Sequence, residues 1–250
     1  MIKQKKYIYT IFSAIFAICF IGLFFQSERD LPQIKSKKIL KVIIPSDSAN
    51  NFEIELLRHY LISIQAEAEF KVEKDFKSSI EKLKNGEYDL LLRLIPTTQQ
   101  LKQEILFTAP IAKTELLLIQ NNNNCIKNYH ELENDTIYIE KNSPYLTRLH
   151  NLQEEVGLEN LNIIQIKKST KELLNDLIDN NINLTIYDEF NLHLLPQNTF
   201  VDAETTISTH HFLAWAIAPN CKLLKQDIDK WIKSFTNSLE YRDLLRKHYR

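Results

Sequence analysis

The side chains best suited to hold a ligand lie where apolar strands give way to polar turns. Arg93-Leu-Ile-Pro-Thr-Thr98 follows the strand candidate Tyr88–Leu92. The Arg93 guanidinium and the Thr97 and Thr98 hydroxyls offer hydrogen-bond donors to a polar solute. A surface arginine at a strand end and ordinary turn polarity explain the same residues equally well. Ser46 and Asp47 follow the first strand, Ile39–Ile44, and face the same side. Ser143 precedes a helix starting at Pro144, where free N–H groups favour an anion or where it acts as a plain N-cap. Asp188 closes the apolar strand Leu184–Asp188, either as a ligand-facing acid or as the cap of a short helix from Glu189 to Leu195.

Catalytic and metal chemistries find no support in the spacing. His210 and His211 are neighbours in a strand and so point to opposite faces, and no Cys or His pair at ligand spacing accompanies them. A Gly-x-Ser-x-Gly elbow is absent, and an acid pair for glycoside hydrolysis depends on separation in space rather than along the chain. The three glycines, Gly22, Gly86 and Gly157, are too few and too scattered for a phosphate loop or a dinucleotide fingerprint. A non-enzyme without catalytic residue, metal or cofactor is therefore expected. Thirty-one basic against thirty-two acidic residues imply no nucleic-acid partner. Trp215 and Trp231 read as core aromatics.

Positioning falls to alternating strands and helices. Ile39–Ile44 reads as a strand buried on both faces, with a short strand at Ala68–Glu73 and a third strand at Tyr88–Leu92. Phe52, Leu56, Leu57, Tyr60, Leu61 and Ile64 recur at helical spacing. Lys77–Lys84 forms a second helix, ended by Asn85-Gly86 in the left-handed conformation that glycine allows. After the apolar strand Lys113–Gln120 a similar pattern follows, with strands at Thr136–Ile139, Ile163–Ile166 and Leu184–Asp188 and helices at Pro144–Val156 and Lys171–Asp179. His211–Ala218 returns as a strand, and helices at Leu223–Thr236 and Glu240–Tyr249 close the chain. Strands and helices alternating at this pace imply parallel sheets, and two such units imply a cleft between them. Ligands of open α/β sheets bind at the carboxyl ends of the strands, where Arg93–Thr98 lies.

The start of the chain reads as an address. Tyr7–Phe25 is a run of nineteen uncharged residues after Lys3, Lys5 and Lys6. As a helix it covers about 28 Å, close to the hydrocarbon core of a bilayer. The lysines favour a cytoplasmic start, with the rest of the chain in the periplasm on a single-pass inner-membrane anchor. A cleaved signal peptide is the rival, though its apolar region is shorter and ends in small residues. Cys19 follows Ile18, where a lipoprotein signal wants a small residue. Cys125 and Cys221 read as idle thiols, placed too far apart to bridge.

Four segments carry a resemblance. Lys77–Asp89, Leu106-Phe-Thr-Ala-Pro-Ile111, Lys171–Asp188 and Leu224–Tyr249 resemble, in that order, motifs of the type II periplasmic solute-binding proteins of family 3, which capture amino acids and similar solutes for ABC importers. Within that family the chain is similar to the non-catalytic solute-binding-like domain of membrane-bound lytic murein transglycosylase F; it stops at Arg250, so the lytic activity is not implied. The resemblance implies an α/β, two-lobed periplasmic-binding-protein-like fold with a central cleft, plus an N-terminal transmembrane helix. The segments would be an anchor or signal at 1–29, a linker at 30–38, lobe 1 at 39–112, lobe 2 at 113–218, and helices at 219–250 returning to lobe 1, with hinges near Ala112–Lys113 and Ala218–Pro219. Asp188 matches the acid that receives a ligand ammonium. The arginine that clamps the ligand carboxylate falls at Leu101, a departure that Arg93 would have to cover from another direction. The loop after the first strand is short and lacks the usual stacking aromatic. The implied partner is a small polar solute (amino acid, peptide or muropeptide fragment), or else a membrane or cell-wall protein.

Overall fold

The computed structural model describes residues 29–45, 51–121, 126–194 and 201–249. Among them no helix is long and apolar enough to cross a membrane. The apolar run 7–25, Ser46, Asp47 and Cys125 lie outside the described residues.

Two mixed sheets form the frame. The first joins β1 (Ile39–Ile44), β2 (Glu67–Val72), β3 (Leu90–Pro96), β4 (Leu106–Phe107), β5 (Ala112–Thr114) and β11 (His211–Ile217) in the order β2-β1-β3-β11-β4, with β5 also on β11. The second joins β6 (Leu116–Asn121), β7 (Thr136–Glu140), β8 (Asn162–Ile166), β9 (Leu184–Asp188) and β10 (Val201–Thr206) in the order β10-β6-β9-β7-β8. In each sheet three strands run parallel, and the strands crossing between sheets pair antiparallel.

Helices cover the sheets for the reason their apolar spacing predicts. In α2 (Asn51–Ile64), Phe52, Leu56, Leu57, Tyr60, Leu61 and Ile64 are all buried in the first lobe. Helix α3 (Phe76–Lys84) ends in a Schellman closure: Gly86 N–H donates to Leu83 O at 2.9 Å and Glu87 N–H to Lys82 O at 3.0 Å, with Gly86 at φ +68°. A short helix, α4 (Gln99–Lys102), follows β3. In the second lobe α5 (Leu146–Val156) and α6 (Thr170–Ile178) pack on opposite faces of the sheet. Strand β6 serves both, with Leu116 and Leu118 on one face and Leu117 and Ile119 on the other. Helices α7 (Lys222–Phe235) and α8 (Leu239–His248) return to the first lobe, burying Leu224, Ile228, Ile232, Tyr241 and Leu244.

Three differences from the sequence expectations matter. Residues 30–38, polar enough to suggest a linker, instead hold helix α1 (Leu31–Lys37). Asp30 and Gln33 form its capping box, and the Asp30 carboxylate also accepts from the Leu223 and Leu224 N–H groups at the start of α7. Second, β11 was expected to end lobe 2 at residue 218, yet it is hydrogen-bonded inside the first sheet, because its buried Leu213–Ala218 run needs both neighbours β3 and β4. The second crossover therefore runs through residues 207–210, not Ala218–Pro219. Third, the strand expected at Lys113–Gln120 breaks in two: β5 pairs in the first sheet and β6 in the second, with Glu115 as the first crossover.

Candidate functional site

Arg93 does not end its strand. Proline argues against a central strand, but β1 pairs with β3 only as far as Val42–Leu90 and Ile43–Leu91, so the strand runs on to Pro96 beside β11 alone. Between the pairs Leu91–Ala216 and Ile95–Ala214 the register slips, setting Leu92, Arg93 and Leu94 against Trp215. Such a bulge re-aims side chains. Arg93 is the one residue of β3 that is not fully buried, and its guanidinium leaves the first lobe.

It meets Glu140, the last residue of β7 in the second lobe. Arg93 Nη1 donates to Glu140 Oε1 at 3.1 Å and Nη2 to Oε2 at 2.5 Å. This two-pronged pair matches a planar guanidinium to a planar carboxylate. The side chains are only 19% and 9% exposed. Burial pulls the Arg93 pKa down, and the Glu140 charge outweighs it, so the net shift is upward. The Phe76 ring lies beneath the guanidinium, 5.4 Å from its centre, and the Thr170 hydroxyl donates to Glu140 Oε2 at 3.4 Å.

Asp188, at the end of β9, is likewise held. The Tyr145 hydroxyl donates to Oδ2, and His211 Nε2 lies 3.2 Å from Oδ1. Burial and the Asp188 charge raise the Tyr145 pKa, keeping the phenol protonated. His210, in the crossover just before β11 and not within the strand as expected, lies instead against Glu115 at 2.8 Å. Nearby, Glu53 is buried and accepts from Trp215 Nε1 at 2.9 Å. Burial lifts its pKa to about 7, against the opposing pull of the indole N–H and the Arg93 charge.

The remaining expected residues take structural partners. Thr98 caps α4, its hydroxyl accepting from Leu101 N–H at 3.2 Å. Leu101 itself packs on the first-lobe core. Thr97 N–H donates to Phe212 O at 3.2 Å. Ser143 Oγ accepts from Tyr145 N–H at 3.3 Å, because the helix expected at Pro144 begins only at Leu146. Ser46 lies outside the described residues. The structure thus brings Arg93 and Asp188 to the space between the lobes and adds Glu140, Tyr145 and His211 there, with Glu53 buried behind Arg93 in the first lobe; the sequence reading missed these four. Glu140 had a signal: it ends a parallel strand, as Asp188 does. Further contacts join the lobes, with Asn142 donating to Asp75 at 3.4 Å and Phe190 packing edge-on against Phe52 at 6.2 Å. Among the described residues no cluster of three or more His, Cys, Asp or Glu side chains could hold a metal. Cys221 is buried, with its thiol donating to Arg29 O at 3.2 Å.

A two-lobed mixed α/β frame with two crossovers is shared with many solved structures. A sequence profile of the bacterial extracellular solute-binding proteins, family 3, matches residues 46–250. The chain belongs to this family. An amino-acid ABC transporter substrate-binding protein from Streptococcus pneumoniae, bound to L-arginine, superimposes with a TM-score of 0.74 at 19% identity, over 87% of this chain and 97% of that one. A cysteine-binding protein from Campylobacter jejuni gives 0.74 at 16% identity, over 88% and 92%. An ancestral amino-acid-binding protein, a precursor of cyclohexadienyl dehydratase, gives 0.74 at 17% identity, over 88% and 99%. At these identities the likeness shows the fold. No curated protein sequence matches the chain, and nothing in these matches points to murein transglycosylase F.

Proposed function

We propose that this family 3 member is a non-catalytic, extracytoplasmic binding module, anchored through residues 7–25, that closes two lobes on a small polar solute for transport or sensing. The observation that carries the reading is the convergence of charged side chains from both lobes, Arg93 from the bulged middle of β3 in one and Glu140 and Asp188 from strand ends in the other. Closure would turn on the crossovers at Glu115 and residues 207–210, which Ile207 N–H and the Ser208 hydroxyl tie together by bonds to the Leu116 backbone. A solute acts by favouring the closed form over the open one. Relatives of the fold bind arginine and cysteine, and amino acids, short peptides and muropeptides are the solutes to try.

The test is thermal unfolding of the full-length protein in detergent micelles against that panel. A true solute raises the midpoint, with about 2.7 kcal/mol of stabilisation at a hundredfold excess over Kd, and Asp188→Ala abolishes the rise. A second reading is favoured by one observation: the Arg93 fork and the Asp188 oxygens already have partners within the chain. On that reading the cleft is closed on itself and the outer surface binds a protein, such as a cell-wall enzyme. A panel without any shift, followed by a specific crosslinked partner in intact cells, would select it.

A further inference from the structure

We infer that Arg93 forms a carboxylate-binding site whose occupant, with no solute present, is the chain's own Glu140, and that a small free carboxylate takes this seat once the Glu140 side chain is withdrawn. The inference deepens the binding reading above by naming the chemistry Arg93 accepts. The seat is built for one carboxylate: two parallel N–H···O bonds at 3.1 and 2.5 Å, the guanidinium lying over Phe76 and the pair largely shut off from water. Among the described residues no other acid contests it. Glu53, buried on the Arg93 side, spends its carboxyl on the Trp215 indole, and Asp188 is held by Tyr145 and His211. The donor and its occupant belong to different lobes, so separating the lobes must empty the fork, and filling it draws them together. Glu140 therefore acts as a tethered ligand. Any solute that brings its own carboxylate has to displace a carboxylate already delivered at high effective concentration, which makes Glu140 a specificity-determining residue.

Chemical rescue tests this on the full-length protein in detergent micelles, with sodium acetate as the probe and sodium chloride of equal ionic strength as the control. Glu140→Ala is expected to lower the unfolding midpoint, and acetate, unlike chloride, to restore it by several degrees. The wild type, its seat filled, should not respond to acetate, nor should Arg93→Ala/Glu140→Ala. If Glu140→Ala does not fold, Glu140→Gln keeps the shape, and its neutral amide yields the fork to acetate in the same titration. Acetate that fails to raise the midpoint of the folding variant overturns the inference, as does an equal response from the wild type or from the double variant. The solute panel on the wild type judges the binding reading separately. A wild type that binds a solute beside an unrescued variant retains that reading and rejects this one, and the reverse pattern does the opposite.

Discussion

At the scale of single residues, the candidate site depends on how carboxylates are shared out. Glu53 is the one whose charge state carries a stability signature. Burial is the largest cause of its raised pKa, about 7 against an ordinary 4.5. Below 4.5 the folded and unfolded chains both hold the proton. Between 4.5 and 7 the unfolded chain gives it up while the folded chain keeps it, so stability falls as pH rises, by about 1.4 kcal/mol per unit. Above 7 the loss is complete. Glu53→Gln removes this dependence and keeps an acceptor for the Trp215 indole. Urea unfolding at a series of pH values should show the wild type losing roughly 2–4 kcal/mol relative to the variant between pH 4.5 and 7. A difference that stays flat across that range would show that Glu53 is not buried as described. The sequence pointed to Arg93 and Asp188 because both sit at or near the end of an apolar strand. It did not point to Glu140 as the partner of Arg93, because that pairing joins residues 47 apart across two lobes. Nor could it reveal Glu53, a residue of an otherwise ordinary amphipathic helix whose neighbours are set by β3 and β11.

At the scale of elements, most helices and strands were legible from apolar period and glycine position, as α2 and the Gly86 closure of α3 illustrate. The errors came where tertiary pairing outweighed local pattern. Helix α1 hides in a lysine-rich stretch, although Asp30-Leu-Pro-Gln33 is a capping signal in its own right. Its burial of Ile34 and its ties to α7 make it part of the first lobe. Arg29 locks it further. Nε and Nη2 donate to the Asp89 carboxylate at 2.6 and 2.9 Å, and Asp89 also accepts from Lys41 N–H at 2.7 Å. With its side chain only 1% exposed, Asp89 leaves a cation and an amide without their acceptor when removed. Asp89→Ala should cost roughly 3–5 kcal/mol in urea unfolding. A loss below 1 kcal/mol would mean that Arg29 and helix α1 detach freely from the lobe.

At the scale of the whole molecule, the contacts between the two lobes include a buried ion pair. Within a single lobe such a pair would be weak evidence of stability, since desolvation offsets much of the attraction. Between lobes the balance is different, because a separation of the lobes would return both ions to water. On the closure reading proposed above, the pair stabilises the closed form, so its loss both favours opening and lowers the unfolding midpoint. The cleft was anticipated from the repeated strand–helix pattern, but not the position of the second crossover: that depended on β11 pairing with β3, a contact between residues more than a hundred apart along the chain. The most direct test is the distance between labels carried as noncanonical amino acids at exposed Glu81 in the first lobe and exposed Lys171 in the second, measured by pulsed spin resonance without solute. The wild type should show one short, narrow distance distribution, and Glu140→Ala a longer, broader one that acetate shortens. A wild type already broad and long, unchanged in Glu140→Ala, would contradict a cleft held shut by its own carboxylate.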